Sequence, residues 1–420
     1  MRKIILTAII IAINIATLFA NRVLIPMDLA QNDHLKAYGL IYWQLTNHNK
    51  VDWLLNYRSG SFMTDYSQEF VAEARIRGVS FEILSDDEAE SIVTMIKKDD
   101  VNMDDVVLEK APRIGVYVTP GIQPWDDAVR MALEYAEIKY KTIWDEEVLR
   151  GDLKDIDWLH VHHEDFTGQY GKFWANYQNQ PWYIQQVAIN ENMAHKLGYK
   201  KVSKMKLDVV KKMKEFIANG GYMFGMCSAT DTWDIALAAM NTDICDVPFD
   251  GDPPDPNANQ KLDFSQTLVF ENFKVITDPY VYEFSDIDVT PDPYNLKPES
   301  DFFTLFDFSA KYDPVPTMLT QDHANIIHGF LGQTTAFHKR FIKKNVIILG
   351  EKEGTDEVKY LLTNFGKGFL VWYGGHDPED YQHFVGDPPT DLSLHKNSPG
   401  YRLILNNVLF PAAKKKVLKT

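Results

Sequence analysis

Near its middle the chain reads Gly220-Gly221-Tyr222-Met223-Phe224-Gly225-Met226-Cys227-Ser228-Ala229-Thr230-Asp231-Thr232. The apolar run before the cysteine predicts a buried strand, and the residues that follow predict a helix. Cys227 therefore lies at the turn between the two elements. A thiol at such a turn faces the positive end of the following helix, which lowers its pKa. Because Gly225 and Ser228 are small, the turn has the features of a nucleophile elbow.

Strands and helices alternate on both sides of this turn. Further strands are predicted at residues 114–118, 140–144, 157–162, 345–349, 358–363 and 369–373. This alternation predicts an α/β fold with a doubly wound sheet. Ligands bind beyond the carboxyl ends of the strands in such sheets, so His162 and Cys227 are expected at the same rim. His376 follows the last of these strands after two glycines and is expected there as well.

At 420 residues the chain is long for a single core, so more than one unit is expected. We predict an N-terminal α/β unit over residues 21–110 with parallel strand pairing, because short β-rich runs alternate there with amphipathic stretches. A capping box at Ser85 and Glu88 begins one of its helices. The core then occupies residues 111–240 and 341–415, and residues 241–340 form an Asp- and Pro-rich insertion within it.

The first twenty residues resemble a signal peptide. Arg2 and Lys3 precede an apolar run that ends near the small residue Ala20. An uncleaved N-terminal anchor is the alternative. No later stretch is apolar for long enough to cross a bilayer, so we expect a periplasmic or secreted protein without a transmembrane segment in the mature chain.

The charge and the cysteine content of the chain disfavour several classes of partner and of site. The formal net charge is −16, which disfavours nucleic acid, because nucleic-acid binding depends on Lys and Arg neutralising phosphates. The only two cysteines are Cys227 and Cys245, so the chain is neither a disulfide scaffold nor a Cys-rich zinc module. A bond between the two is the alternative to a catalytic Cys227. The sequence predicts no cofactor, and it leaves the oligomeric state open.

A cysteine nucleophile needs a base and a group that orients the base. His376 is the candidate base, and Asp377 or Glu379, which follow it, is the candidate orienting carboxylate. A surface-loop histidine is the alternative. The Ser228 amide is expected to stabilise an oxyanion at the elbow.

Residues 160–165, which read His-Val-His-His-Glu-Asp, concentrate imidazoles and carboxylates at one strand end. His160 and His162 share a face of the strand, a spacing that can bind Zn²⁺, but no third ligand stands at a fixed offset. We therefore assign no metal site and place His162, His163 and Glu164 in the pocket.

Aromatic residues follow directly. Tyr170, Trp174 and Trp182 are candidates for binding a substrate, because aromatic rings stack on sugar faces or form a lid. The alternative is the core of a loop-rich subdomain. The later acidic run from Asp243 to Asp255 lacks the spacing of an EF-hand loop, and we interpret it as a solvated loop.

Together these pieces resemble the ThuA-like (trehalose-utilisation) branch of the class I glutamine-amidotransferase-like superfamily. The resemblance rests on the elbow segment, on Tyr282-Glu283-Phe284-Ser285-Asp286, and on the run from Asn364 to Gly368 through Gly375-His376-Asp377-Pro378-Glu379. It implies a flavodoxin-like sheet. Many members of this branch have a histidine where this chain has Cys227. True glutaminase domains have the cysteine in a Gly-x-Cys-x-Gly elbow, and Ser228 and Ala229 replace that glycine context here, so the resemblance does not imply glutaminase activity.

The whole chain also resembles exported bacterial proteins catalogued as asparagine synthetase B-like. The residues do not support ATP-dependent asparagine synthesis, because no Cys follows Met1 and no Ser-Gly-Gly-x-Asp-Ser loop is present. We instead expect a Cys-His hydrolase or amidase acting on a small amide, peptide or sugar-derived substrate. A non-catalytic envelope protein that binds a glycan or a protein partner is the alternative.

Overall fold

The computed structural model describes residues 22–120, 127–289, 301–328, 335–380 and 388–414. The predicted signal peptide, residues 1–20, lies outside this part of the chain. Among the described residues, no helix combines the length and the apolar character that crossing a membrane requires.

The N-terminal residues form a five-stranded sheet of order β4-β1-β3-β2-β5. All of its strand pairs are antiparallel, so the predicted parallel pairing is wrong. The reason is visible between β2 and β3, where a five-residue connection is too short for the crossover that parallel strands need. The elements are β1 (Arg22–Ile25), α1 (His34–Thr46), β2 (Val51–Leu55), β3 (Ser61–Asp65), α2 (Gln68–Arg77), β4 (Glu82–Leu84), α3 (Asp86–Ile96) and β5 (Asp104–Leu108).

A larger sheet contains the elbow. Its strands in the described residues are β6 (Ile114–Tyr117), β7 (Lys141–Ile143), β8 (Trp158–Val161), β9 (Tyr222–Met226), β10 (Phe302–Leu305), β11 (Ile326–His328), β12 (Phe337–His338), β13 (Ile347–Glu351), β14 (Glu357–Phe365) and β15 (Gly368–Tyr373). The sheet runs β11-β10-β13-β14-β15-β9-β8-β6-β7, with β12 paired to β14.

Five neighbouring strands of this sheet, β7-β6-β8-β9-β15, are parallel. Numbered along the chain, their order is 2-1-3-4-5, which is the flavodoxin-like order. The predicted α/β fold with a flavodoxin-like doubly wound sheet is therefore confirmed. The switch point of the sheet, where the chain reverses its direction of winding, lies between β6 and β8.

The larger sheet is covered on both faces. Along β9, Phe224 and Met226 face one hydrophobic cluster and Met223 faces the other, as the two-residue period of a strand requires. Helices α4 and α12 belong to the first cluster, and α5, α8 and α9 to the second. The helices are α4 (Ala128–Tyr135), α5 (Asp145–Arg150), α6 (Trp174–Tyr177), α7 (Pro181–Lys196), α8 (Val202–Ala218), α9 (Ala229–Ala238), α10 (Val247–Asp250), α11 (Pro314–Leu319) and α12 (Pro399–Leu409).

The N-termini of helices α3 and α8 differ in how they are capped. The capping box of Ser85 and Glu88 is confirmed at α3. Helix α8 has Lys201 at its N-cap, and Ser203, a residue type that favours the N-cap, lies inside the helix. Three strands, β10, β11 and β12, come from the predicted insertion and extend the sheet beyond β13 and β14. The sequence missed them because Asp and Pro dominate their surroundings.

The N-terminal sheet packs on the far side of the α4 and α12 layer, through α1, in one hydrophobic cluster. Polar contacts reinforce this packing. The buried Arg402 of α12 donates to the Met27 carbonyl at 2.7 Å and to the Tyr38 hydroxyl at 3.1 Å. His34, at the start of α1, stacks on His323 with ring centroids 4.2 Å apart.

Gly225 is required by the packing of β9 between its neighbours. A Cβ at this position would lie 2.2 Å from the Trp372 ring and 3.2 Å from Val161. We expect Gly225→Ala to lower the free energy of unfolding by about 1–3 kcal/mol, the usual cost of overpacking a core. Urea unfolding measures the loss. Gly115→Ala is the matched control, because its Cβ meets only the side chain of Ile156, at 3.1 Å. Equal losses in both variants would contradict this account.

His34 should make stability depend on pH. Burial, assisted by the positive charge of Arg402, lowers the pKa of His34 from 6.5 to about 3. The unfolded chain therefore binds the proton first, and the contribution of neutral His34 to stability, complete above pH 6.5, is lost as the pH falls toward 3. When the pH falls from 7 to 5, we expect the free energy of unfolding to decrease by about 2 kcal/mol less in His34→Gln than in the parent protein.

Urea unfolding at the two pH values provides the measurement. The exposed His48 offers a matched control, since His48→Asn keeps a residue type that tolerates its positive φ of 63°. The account is contradicted if the free energy of unfolding decreases between the two pH values as much in His34→Gln as in His48→Asn and in the parent protein.

Candidate active site

Cys227 occupies a strained turn. Its φ is 50°, in the left-handed region that L residues other than Asn, Asp and Gly rarely adopt, at a cost of about 1–2 kcal/mol. It directly follows β9 and precedes α9, so the predicted elbow is present. Backbone strain of this kind persists where the surroundings fix it, and it concentrates at functional sites.

Hydrogen bonds to both neighbouring strands fix the elbow. The Cys227 N–H donates to the Gly375 carbonyl at 2.9 Å, and the Ala229 N–H donates to the His162 carbonyl at 2.9 Å. The Cys227 carbonyl accepts from the N–H of Thr230, at 3.2 Å, and from its hydroxyl, at 2.6 Å. Of the three consecutive amides at the turn, that of Ser228 alone donates no hydrogen bond to the described residues. It is therefore the amide that remains for an oxyanion.

Cys227 and His376 follow the carboxyl ends of two neighbouring strands. Strands β9 and β15 are adjacent and parallel, and Met226 pairs with Tyr373 at their ends. The chain then turns through Gly375, whose φ of 100° favours glycine, before it reaches His376. Both side chains are largely buried, with 3% of Cys227 and 5% of His376 exposed.

Three imidazoles cluster beside the elbow. The His376 ring stacks on His163, with centroids 5.3 Å apart, and meets His162 edge-on at 4.8 Å. One ring nitrogen from each of the three lies within 4.8 Å of the others. In the neutral form each of these rings offers one nitrogen lone pair to a proton or a metal ion.

The two candidate orienting carboxylates, Asp377 and Glu379, bond to other groups among the described residues. Asp377 is buried and accepts from the Thr390 hydroxyl at 2.7 Å and the Glu379 N–H at 3.0 Å. Glu379 lies 3.1 Å from the Nδ1 atom of His395. Both carboxylates therefore bond to segments around the site. Their position next to His376 in the sequence does not reveal these partners.

Glu164 and Asp165 shape the loop after β8. Glu164 accepts from the His162 N–H at 2.9 Å, and burial raises its pKa from 4.5 to about 7. Asp165 accepts from the Thr167 N–H at 2.6 Å and the Gly171 N–H at 3.0 Å. Of the two carboxylates, Glu164 is thus the one bonded to the histidine strand, and Asp165 folds the loop.

Asp127 is a site residue that the sequence analysis missed. It caps the N-terminus of α4, where it accepts from the Arg130 N–H at 3.0 Å. Its Oδ1 atom lies 3.3 Å from the His160 Nε2 atom and 3.5 Å from the His162 Nδ1 atom. Burial raises the pKa of Asp127, but the two imidazoles outweigh burial and hold it well below its usual range. Its position between β6 and α4, at the switch point of the sheet, was the available signal.

The aromatic candidates form a cluster of their own. Tyr170 is buried, whereas Trp174 and Trp182 are half-buried against other rings. Trp174 lies 5.3 Å from the Tyr280 ring. The Tyr282 ring lies 5.8 Å from that of Phe173. The three candidates thus pack among other aromatic rings, as the core of a subdomain would require.

Cys245 belongs to this aromatic cluster and forms no disulfide with Cys227. Burial raises its pKa well above the ordinary value, which makes it a poor nucleophile. In the nearby acidic run, Lys201 Nζ lies 2.7 Å from Asp243, 3.0 Å from Asp250 and 2.6 Å from Asp252. The positive charge of Lys201 thus balances these carboxylates.

Comparison with known proteins gives only remote similarities. No family model and no curated protein matches the chain. A cytoplasmic protein from Salmonella typhimurium is 10% identical, with a TM-score of 0.35, over 72% of this chain and 100% of that one. A putative ThuA-like protein from Bacteroides uniformis is 11% identical, with a TM-score of 0.30, over 71% and 91%.

A β-galactosidase from Bacillus circulans is 9% identical, with a TM-score of 0.27, over 69% of this chain and 32% of that enzyme. Similarity at this level transfers no activity to the chain.

We expect Asp377 to stabilise the fold and to take no part in proton transfer. We expect Asp377→Asn to lower the free energy of unfolding by about 1–3 kcal/mol, because a buried carboxylate loses its bonding to Thr390. The matched change Glu379→Gln affects a more exposed ion pair and should cost at most about 1 kcal/mol. Urea unfolding measures both. A stable Asp377→Asn variant whose Cys227 reactivity has a shifted pH profile would restore the orienting role.

Proposed function

We propose that the chain is an exported cysteine-dependent hydrolase or amidase in which Cys227 is the nucleophile and His376 the base. The strained elbow carries this proposal, because its φ of 50° is held by two neighbouring strands beside a cluster of imidazoles. Export rests on the apolar N-terminal segment with Arg2 and Lys3 before it.

In the first step His376 accepts the Cys227 thiol proton, and Sγ attacks the carbonyl carbon of the substrate. The Ser228 N–H donates to the resulting oxyanion. The intermediate collapses to a thioester as His376 protonates the leaving amine. Water then attacks the thioester, His376 takes the proton from this water, and the thiol is regenerated as the carboxylate product leaves.

The site favours a small substrate. Cys227 and His376 are nearly buried, so a bulky polymer could not reach them without movement of the surrounding segments. A small amide, a short peptide or a sugar-derived amide fits this restriction. The half-buried Trp174 and Trp182, which pack in one cluster with Tyr170, are apolar rings on which a sugar-derived substrate could stack.

The function of Cys227 is tested by its reactivity. Iodoacetamide at neutral pH should modify Cys227 at least tenfold faster than Cys245, because only Cys227 lies at a helix N-terminus beside a base. Peptide mass spectrometry measures the two rates in the full mature chain. His376→Gln should slow modification of Cys227, whereas Cys245→Ser should leave it unchanged.

Turnover completes the test. A panel of small amides and amino-sugar amides should yield free amine with the parent protein and not with Cys227→Ala. Slow, equal modification of both cysteines, together with the absence of amine release, would contradict the hydrolase and favour the envelope binding protein.

A further inference from the structure

The geometry points to a buried divalent metal site, of the zinc class, formed by Asp127, His160 and His162 at the switch point of the sheet. One oxygen or nitrogen atom from each residue lies within 4.8 Å of the other two. The side chains are 2%, 0% and 1% exposed, respectively. The sequence supplied the two histidines, and the fold supplies the third ligand.

The hydrogen bond of His160 determines which of its nitrogens faces the carboxylate. Its Nδ1 atom lies 3.1 Å from the Phe224 carbonyl, which can only accept, so Nδ1 carries a proton. In a neutral ring, Nε2 then presents a lone pair to Asp127 Oδ1, 3.3 Å away. Two lone pairs that face each other inside a protein repel, and a cation between them converts the repulsion into binding.

His162 gives independent support. Both of its ring nitrogens are buried, and neither makes a hydrogen bond with the described residues. Buried polar atoms in proteins are normally paired, so an imidazole with two such nitrogens points to a ligand. Its Nδ1 atom faces Asp127 Oδ1 at 3.5 Å, in the same place as His160.

The distances fit a tetrahedral ion. Zinc binds imidazole nitrogen and carboxylate oxygen at about 2.0–2.2 Å, so two of its ligand atoms are about 3.3 Å apart. The contacts of Asp127 with the two histidines are 3.3 and 3.5 Å. The bond from His160 to a backbone carbonyl is the outer contact that metal-binding histidines typically make.

The proposed metal site is distinct from Cys227 and His376, but one of its ligands contacts His376. Asp127 and His160 take no part in the proposed hydrolysis, whereas His162 also contacts His376, with ring centroids 4.8 Å apart. A metal on His162 Nδ1 would fix the orientation of this ring at the rim. Asp127, His160 and the metal are thus positioning groups, and the burial of the three ligands separates the ion from bulk substrate.

Metal binding by the full mature chain is the direct test. Equilibrium dialysis against Zn²⁺ should give one tightly bound ion per chain, and Co²⁺ should produce the strong visible absorption of a tetrahedral site with nitrogen and oxygen ligands. Asp127→Asn and His160→Gln should each weaken Zn²⁺ binding at least tenfold. Cys227→Ala and His34→Gln, a matched change of a buried histidine elsewhere, should bind as the parent does.

The Co²⁺ spectrum of the parent protein keeps the test independent of how well any variant folds. Absence of a saturable site in the parent, or Zn²⁺ binding that survives the double change Asp127→Asn and His160→Gln, overturns the proposal. The modification rates of Cys227 and Cys245 are measured separately from Zn²⁺ binding, so failure of the metal site and failure of the hydrolase are distinguishable.

Discussion

The hydrogen bonds that join the elbow to its two neighbouring strands are the constraint on which the site depends. Through them the carboxyl ends of β8, β9 and β15 form one rigid edge, with Cys227 between His162 and Gly375. Without these bonds the left-handed conformation of Cys227 would relax, because its cost is not repaid locally. The same edge determines where the imidazoles lie, since His162 and His376 follow the outer two strands.

The rim is polar but almost fully buried, and this combination makes each group depend on its neighbours. Imidazoles and carboxylates buried together avoid the cost of an isolated charge only by sharing protons or a cation. Asp127 and Glu164 illustrate the two outcomes. The imidazoles lower the pKa of Asp127, whereas burial raises that of Glu164 to about 7. Two carboxylates near one strand end thus differ in charge through their surroundings alone.

The sequence predicted those features that follow from local pattern. Strand β9 matches its predicted bounds, because an apolar run between a double glycine and a cysteine has few other structures available. Pairing direction in the N-terminal sheet was wrong, since alternation of elements does not determine which strands become neighbours. Asp127 was missed for a related reason, because a ligand from a distant loop has no fixed spacing from its histidines. The orientation of Asp377 likewise depends on Thr390, a residue outside its motif.

His162 connects the two chemistries proposed for this rim. Its backbone carbonyl holds the elbow, its Nδ1 atom faces Asp127, and its ring meets that of His376. A cation bound at Nδ1 would withdraw electron density from the ring and disfavour a second positive charge nearby. His376 would then remain neutral more readily, which is the state that a base needs in order to accept the proton of Cys227. A metal ion at this site would therefore act as a buried electrostatic control next to His376, the base of the proposed hydrolysis.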